Sequence, residues 1–245
     1  MIVDWHQRYL QQAGWTRDVR IYLFERAGIQ QARRVLEVGC GTGAVLAEVP
    51  ALATRFGLDL EPAHLSEAHK HVPEAFLVCA DAHHLPFSDC VFDITFCHFL
   101  LLWVRDPLQA LLEMRRVTRP HGAVLAFAEP DYSRRIDEPA TLAPLGFWQT
   151  ESLRLQGADP FLGARLADLF YQAGIRLLET GILQERRNVP SRPRERELEW
   201  EVLAADLRGL LSPEEISRFE KLDAEAWAKG TRRLYVPVHF ALGVV

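Results

Sequence analysis

The sequence predicts an α/β fold: a doubly wound, mostly parallel sheet with helices on both faces. Two observations carry this prediction. Segments of strand and helix character alternate about every 20–30 residues in the first half of the chain. The strand segments are continuously apolar, which is typical of strands buried on both faces. The 245 residues suffice for one large domain. In such sheets, right-handed crossovers leave the ligand site at the carboxyl ends of the strands.

The first half of the chain supplies the alternating elements in order. Apolar positions at helical spacing across residues 4–28 predict one or two helices ahead of the core. Strands are then predicted at 33–38, 54–58, 75–80, 91–96 and 122–128, with helices at 42–49, 62–72 and 107–117. Pro62 supports the helix that it begins, because proline fits the first helical position.

After Glu129 the alternation gives way to prolines, charges and longer connections. We expect a helix at 142–156, a strand at 174–184, a charged loop entering a helix at 190–201, a helix at 213–229 and a last apolar strand at 234–245. Ser212 followed by Glu215 is the capping-box pattern that begins the helix at 213–229. We expect one domain, 1–245, with a helical cap at 1–30 and lid insertions at 131–172 and 188–230.

Composition and charge disfavour several classes of function. The net charge of −5 disfavours non-specific binding of nucleic acid, since surfaces that bind it are basic. The four cysteines form no C-x-x-C pair. His64, His69 and His71 are interpreted as a solvated helix face, and no metal site is expected. No apolar run approaches the roughly 18 residues of a membrane helix, and the first ten residues lack a signal-peptide pattern. We expect a cytoplasmic protein without a membrane partner; its oligomeric state is not determined by the sequence.

A glycine-rich loop follows the first predicted strand, in the string V-L-E-V-G-C-G-T-G at 35–43. Glycines let the main chain approach a ligand closely, and the following helix presents free N–H groups. Gly39, Gly41 and Ala44 also fit the dinucleotide pattern G-x-G-x-x-G/A. Asp59, at the end of the second strand, is suited to accept hydrogen bonds from two ribose hydroxyls, whether the ligand is a dinucleotide or another nucleoside.

Three further features distinguish a dinucleotide site from a site for a nucleoside that carries an amino-acid part. Glu37 lies two residues before the first glycine, which suits the cationic end of an amino acid better than a pyrophosphate. Asp81 follows the third strand, where it can accept a hydrogen bond from an adenine amino group. Phe92 and Asp93 begin a strand that ends at Cys97 and His98.

In this order and spacing, the strings V-L-E-V-G-C-G-T-G, G-L-D, A-D-A-x-x-L-P-F and F-D-I-T-F resemble those of class I S-adenosylmethionine methyltransferases. The nearest likeness is to the small-molecule group that includes ubiquinone- and menaquinone-type C-methyltransferases, and it covers roughly residues 33–130. The resemblance implies a Rossmann-like sheet of seven strands, the last antiparallel and inserted beside the sixth. The segment at 234–245 is suitably placed to be that strand.

The resemblance also assigns roles by position. Gly39 and Gly41 line the methionine part of S-adenosylmethionine and Glu37 orients its amino group. Asp59 holds the ribose. The remaining implied cofactor contacts are Leu60, Asp81, Ala82 and Cys97, the first three on the adenine side and Cys97 near the methyl donor. After the reaction the same site holds S-adenosylhomocysteine.

Methyl transfer from a sulfonium is an in-line displacement that an enzyme promotes largely by proximity and orientation. A general base is needed only where the acceptor carries a proton at the reacting atom. His98 and Glu129, which follow the fourth and fifth strands, are the candidate catalytic residues. An apolar or aromatic acceptor is hinted at by the aromatic residues of the lid insertion at 131–172, which are Phe147, Trp148, Phe161, Phe170 and Tyr171. Trp5, Tyr9 and Trp15 either pack in the core or close over the cofactor.

We therefore expect methyl transfer to a small-molecule acceptor. A non-catalytic module that binds the cofactor and regulates a partner stays open, because no residue is an evident catalyst. An NAD(P)-dependent oxidoreductase stays open because Ala44 completes the dinucleotide pattern. Enzymes that methylate amino groups of nucleic-acid bases carry an Asn/Asp-Pro-Pro-aromatic tetrad after the fourth strand. Here Cys97-His98-Phe99-Leu100 stands there, which argues against such acceptors.

Overall fold

The structure, a computed structural model, describes residues 4–183 and 193–245. Its strands are β1 (Arg34–Val38), β2 (Thr54–Asp59), β3 (Phe76–Cys79), β4 (Phe92–His98), β5 (Thr118–Pro130), β6 (Ile136–Glu138), β7 (Arg176–Leu183), β8 (Arg233–Tyr235) and β9 (Val238–Val244). Its helices are α1 (Trp5–Arg26), α2 (Pro62–His71), α3 (Pro107–Val117), α4 (Ala143–Leu155), α5 (Leu166–Gln172), α6 (Pro193–Leu207) and α7 (Pro213–Ala228).

Seven strands form one sheet in the order β3-β2-β1-β4-β5-β9-β7. The five strands from β3 to β5 are parallel. The strand β9 runs antiparallel to both of its neighbours, β5 and β7. The predicted α/β fold, with seven strands and an antiparallel last strand inserted beside the sixth, is confirmed. A separate antiparallel pair, β6 and β8, lies outside this sheet.

Apolar side chains cover both faces of the sheet. One core cluster joins Leu36 and Val124 to α3 and α5, and the other joins Val35 and Leu125 to α1. A third, smaller cluster joins α4, α6 and α7 through Leu145, Leu207 and Ala226 and their neighbours. The three helices therefore have a small core of their own.

Side-chain hydrogen bonds cap the starts of several helices, including the predicted cap of the helix at 213–229. Ser212 and Glu215 form the reciprocal hydrogen bonds of a capping box at α7. The side chain of Asp106 accepts from the Gln109 amide at the start of α3.

No helix among residues 4–183 and 193–245 is long and apolar enough to span a membrane.

Two predicted elements are wrong in detail. The predicted helix at 42–49 is reduced to a single 3-10 turn, Leu46–Glu48. Gly43 has a φ of +80°, outside the helical region, and Pro50 disfavours helical geometry at the residue before it. The predicted strand at 234–245 is divided into β8 and β9. Pro237 lies at the division, where it has no N–H to donate to a neighbouring strand.

The predicted division into a cap at 1–30 and lids at 131–172 and 188–230 stays a prediction. The helix α1 occupies most of the first segment, α4 lies in the second, and α6 and α7 lie in the third. Part of the third segment, 188–192, falls outside the described residues.

Candidate active site

A cavity of about 510 Å³ lies beyond the carboxyl ends of β1, β2, β4 and β5. Its lining includes Glu37, Asp59 and His98, which three different strands bring together. Residues of α1, α4, α6 and α7 form the opposite wall. This is the edge of a doubly wound sheet at which ligands bind.

The loop after β1 brings main-chain atoms close to the cavity. Gly39 and Gly41 have φ angles of +72° and +50°, in the region that favours glycine. A Cβ atom on Gly39 would lie 2.6 Å from Leu100 Cδ1, and one on Gly41 would lie 2.9 Å from Tyr9 Cε2. The Gly39 amide donates to the Leu58 carbonyl at 2.7 Å, which ties the loop to β2. Any side chain at these two positions would displace its neighbours.

Glu37 provides a buried acceptor at the bottom of the cavity. Its Oε2 atom has no hydrogen-bond partner among the described residues. Burial raises the pKa of this carboxyl well above its ordinary value, and the nearby charge of Arg20 opposes the rise. Since an unpartnered buried carboxylate is costly, this oxygen is suited to receive an N–H donor or a cation from a ligand.

Asp59 ends β2 and accepts three hydrogen bonds. Its Oδ2 accepts from the Gly41 amide at 2.8 Å, and its Oδ1 accepts from the Glu61 amide at 3.0 Å. The His64 ring nitrogen Nδ1 lies 3.2 Å from the same Oδ1. Burial works against ionisation, but these hydrogen bonds lower the pKa of Asp59 below its ordinary value. The interpretation of His64 as part of a solvated face is wrong, because His64 lines the cavity.

His98 lies at the end of β4, with its ring against the cavity. Its Nε2 is 2.9 Å from the Thr16 hydroxyl oxygen on α1. Burial, together with the charge of Arg20, lowers the pKa of His98 well below its ordinary value. The imidazole is therefore neutral at pH 7.

Glu129, the other candidate catalytic residue, is fully buried and does not line the cavity. Its Oε1 accepts from the amides of Leu100 and Leu101 at 3.2 and 3.0 Å, and its Oε2 accepts from Leu102 at 3.1 Å. Burial raises the pKa of Glu129 to about 7, against these hydrogen bonds. Its contacts are those of a residue that positions the loop after β4, of which Trp103 reaches the cavity.

Six predicted cofactor contacts are absent from the cavity lining: Gly39 and Gly41, whose loop reaches the cavity through Cys40 and Ala44, and four residues elsewhere. Cys97 is fully buried in the core, Ala82 is buried, and Leu60 is exposed. Asp81 is also exposed, and its Oδ1 accepts from the main-chain amide of His83 at 2.9 Å. The structure thus brings Glu37, Asp59 and His98 together, with Gly39 and Gly41 in the adjoining loop. It does not bring these four to the same cavity wall.

The wall opposite the sheet carries aromatic side chains together with polar and charged ones. The aromatic set, called the aromatic wall below, consists of Trp5, Tyr9 and Trp15 of α1, Trp200 of α6, Trp227 of α7, and Tyr132 and Tyr235, which lie outside these helices. The five aromatic residues between 147 and 171 that hinted at an apolar or aromatic acceptor do not line the cavity, so that hint pointed to the wrong side chains. A signal for α6 was present: Glu199, Leu203 and Asp206 recur at helical spacing, which puts charged residues on an inward face.

A buried ionic network supports the far end of this wall. Arg232 Nε lies 2.5 Å from Asp223 Oδ1 on α7, and its Nη2 lies 2.8 Å from Asp137 Oδ1 on β6. Arg135 also pairs with Asp137, at 2.6 Å. The Trp200 indole donates to Asp223 at 2.9 Å. Because each of these charges is paired, the network fixes α6 and α7 against the β6–β8 pair.

The chain is similar in sequence to known methyltransferases. A family profile described as "Methyltransferase domain" matches residues 36–126. A malonyl-[acyl-carrier protein] O-methyltransferase of Halorhodospira halophila is 31% identical over 93% of this chain and 79% of its own length. A demethylmenaquinone methyltransferase of Renibacterium salmoninarum is 33% identical over 49% of this chain and 52% of its own. This chain spans about half the length of several other curated relatives.

Solved structures share the fold. A candidate methyltransferase of Bacillus halodurans C-125 superposes with a TM-score of 0.64 at 16% identity, over 91% of this chain and 96% of that one. The geranyl diphosphate C-methyltransferase of Streptomyces coelicolor A3(2), solved with S-adenosyl-L-homocysteine, gives 0.56 at 12% identity, over 86% and 70%. At these identities the likeness shows the fold alone.

The donor set fits S-adenosylmethionine. The Glu37 carboxyl has an unpartnered buried oxygen that can accept from an ammonium group, Gly39 and Gly41 leave room for a close-lying chain, and the Asp59 carboxylate is an acceptor of the kind a ribose needs. The near full-length relative and the fold agree with these residues, and neither a dinucleotide oxidoreductase nor a purely regulatory module is favoured. The chain is an S-adenosylmethionine-dependent enzyme and belongs to the class I methyltransferases.

Proposed function

We infer that this enzyme methylates a small molecule whose largely apolar body binds against the aromatic wall. The observation that carries the proposal is that the cavity containing Glu37 and Asp59 also contains Trp200 and Trp227. Aromatic side chains give large contact areas to apolar and ring-bearing ligands. The net charge of −5 supports a small acceptor over a nucleic acid.

The proposed cofactor contacts follow from the motif and the cavity together. Glu37 accepts from the ammonium group, Gly39 and Gly41 let the main chain approach the methionine part, and Asp59 accepts from the ribose. The adenine-side roles of Leu60, Asp81 and Ala82, and the methyl-side role of Cys97, rest on the sequence pattern alone. Of these four, Leu60 and Asp81 have exposed side chains, so each can be substituted without disturbing the core.

When bound, S-adenosylmethionine supplies a methyl group already activated by its sulfonium, so the protein acts mainly by orientation and exclusion of water. His98 is the proposed general base for an acceptor that carries a hydroxyl or amine proton. Its neutral imidazole at the cavity wall supports this role, and the Thr16 hydroxyl holds the ring in place. An acceptor that has no proton to lose would not need it.

A second candidate is O-methylation of a carboxyl group on an acyl thioester. It is favoured by the Halorhodospira halophila relative, whose similarity extends over 93% of this chain. Such an acceptor is an anion, and its carboxylate would need no base. The two candidates therefore differ in their dependence on His98.

We also propose that the enzyme works in the cytoplasm. All four cysteines are free, and two of them, Cys79 and Cys90, are exposed without forming a disulfide. Exposed free thiols are typical of proteins in a reducing compartment.

Radiolabelled S-adenosylmethionine distinguishes the candidates. The purified enzyme is incubated with a small-metabolite extract in one reaction and with malonyl-acyl carrier protein in another. Label in an apolar metabolite fraction is expected from the first proposal, and base-labile label on the carrier protein is expected from the second. Failure of label to enter either pool would contradict both.

A further inference from the structure

The carboxylate of Asp59 has too few free acceptor positions for a ribose. A carboxylate offers about four lone-pair sites. In this structure three are taken, by the amides of Gly41 and Glu61 and by the His64 ring. A ribose presents two hydroxyl donors, so one of the three present donors has to leave.

His64 is the donor that can leave. The Gly41 amide is fixed by the loop after β1, and the Glu61 amide is fixed by the start of α2. The His64 side chain, in contrast, can rotate about its own bonds into the cavity that it lines. Rotation removes its hydrogen bond to Oδ1 without breaking any main-chain contact.

We propose that the His64 ring occupies the ribose position on Asp59 in the free enzyme and is displaced when S-adenosylmethionine or S-adenosylhomocysteine binds, so that cofactor binding is coupled to release of a proton. The inference rests on the proposed role of Asp59. It gives a function in cofactor affinity to His64, which lies in α2 and belongs to neither the glycine-rich loop nor the strand-end motifs.

The sign of the coupling follows from the groups around the ring. Asp59 on β2 faces His64 directly, and Glu61 lies at the start of α2. The Tyr9 ring of α1 packs edge-on against the His64 ring, with 5.7 Å between the ring centroids. The hydrogen bond to Asp59 raises the pKa of His64 above its ordinary value. Displacement takes the imidazolium away from its carboxylate, so its pKa falls and the proton is lost. Cofactor affinity therefore rises as the pH rises through the raised pKa.

Other groups in the same cavity also have shifted pKa values, among them His98, whose pKa burial lowers. The pKa of Tyr9 is raised to about 12 by burial and by Asp59, outside the range of the experiment. Glu37 on β1 is electrostatically coupled to Asp59 and has a raised pKa of its own. Its contribution is the same in the parent enzyme and in a His64 variant, so the difference between the two isolates His64.

Calorimetric titration of S-adenosylhomocysteine into the full chain at pH 5.5–8.5, in phosphate and in Tris, tests the proposal. We expect the affinity of the parent enzyme to rise about tenfold over this range for a one-unit change in pKa. The buffer dependence of the heat should report the released proton. His64→Ala and His64→Gln should lose this part of the pH dependence and of the proton release. His69→Ala, an exposed histidine on the same helix, should behave as the parent.

Two results would overturn the inference. A His64→Ala enzyme that keeps the parent's pH dependence would show that the proton comes from elsewhere. A His64→Ala enzyme that binds more weakly at every pH would make His64 a direct ligand and not a competitor. Failure of the parent enzyme to bind S-adenosylhomocysteine even at pH 8.5 would instead overturn the cofactor contacts proposed above, and this inference with them.

Discussion

The two halves of the cavity are formed by different kinds of atoms. Around Gly39, Gly41 and Asp59, main-chain turns at the ends of parallel strands set the geometry, and the strand pairing fixes where those turns lie. Around Trp200 and Trp227, side chains of two helices form the wall, and these helices pack on α4 through a small core of their own. The first half depends on backbone conformation, and the second depends on which side chains the helices carry.

This difference teaches where each property of the enzyme can change. Gly39 and Gly41 tolerate little substitution. Their positive φ angles favour glycine, and an added Cβ would lie within 3 Å of the side chain of Leu100 or Tyr9. A side-chain site can be altered one residue at a time without disturbing the sheet. We expect cofactor binding to be controlled by the first half and acceptor choice by the second. The following predictions test that separation.

The largest effect is expected from Glu129→Leu in β5, whose carboxyl group holds the loop after β4. The change leaves the amides of Leu100, Leu101 and Leu102 without an acceptor, and each buried amide so left costs about 1–3 kcal/mol. Urea denaturation should show a loss of about 3 kcal/mol or more in the free energy of unfolding. A variant as stable as the parent would contradict the positioning role of Glu129.

Glu129→Gln provides the matched control and a pH test. It keeps one acceptor oxygen for the amides of Leu100 and Leu101, loses the acceptor of the Leu102 amide, and cannot ionise. Because the folded-state pKa is raised to about 7 from an ordinary value of 4.5, ionisation is disfavoured in the folded state. The parent should therefore lose stability as the pH rises from about 4.5 to 7. The Gln variant should lack that part of the pH dependence.

His98→Gln is expected to lower turnover by about a hundredfold with a hydroxyl or amine acceptor, the size of effect typical of a lost general base. Affinity for S-adenosylhomocysteine should stay within twofold of the parent, since the change lies outside the proposed cofactor contacts. His84→Gln, at an exposed histidine, is the control. Full activity of His98→Gln on an acceptor that carries a proton would exclude the proposed base.

Asp59→Ala should weaken S-adenosylhomocysteine by about 1.5–3 kcal/mol, the value for hydrogen bonds to a charged group. Calorimetry at pH 8 measures it. Asp81→Ala, on the exposed side, tests whether the adenine contact contributes, and a smaller loss is expected there because the side chain is solvated. Unchanged affinity in Asp59→Ala would mean that the ribose binds elsewhere.

Trp227→Ala should have the smallest effect and a different signature. Loss of one aromatic surface should raise the acceptor KM by about threefold to tenfold, while cofactor affinity stays unchanged. Phe147→Ala, an exposed aromatic residue outside the cavity, should change neither. A loss of cofactor affinity in Trp227→Ala would mean that the two halves are not independent.

The positions of Gly39, Gly41 and Asp59 at one edge of the sheet were predictable, because the signals for them are local. Gly39, Gly41 and Asp59 each lie at the end of an apolar strand, and the doubly wound topology brings those ends to one edge. Glu37 was placed by its spacing from the glycines, and its unpartnered oxygen agrees with that interpretation. Near these residues, local pattern and tertiary structure carry the same information.

The helical half could not be predicted in the same way, since its residues meet through long-range contacts. Trp200 is held at the cavity by a chain of contacts. Its indole donates to Asp223, Asp223 pairs with Arg232, and Arg232 pairs with Asp137 on β6, 95 residues earlier in the chain. His64 resembles a surface residue by its helical position, yet α1 packs over it through Tyr9. The role of Glu129 likewise depends on a loop about 28 residues earlier in the chain.

The position of β9 has a consequence for how the chain folds. Strands β1 to β5 come from one continuous stretch of sequence and can pair as their segments meet. In contrast, β7 joins the sheet only through β9, and β9 pairs Leu125 with Leu242 across more than a hundred residues. Closing so long a loop is entropically costly, and contacts of this range slow folding. We therefore expect the parallel part of the sheet to form first and the insertion of β9 to limit the rate at which the native enzyme is completed.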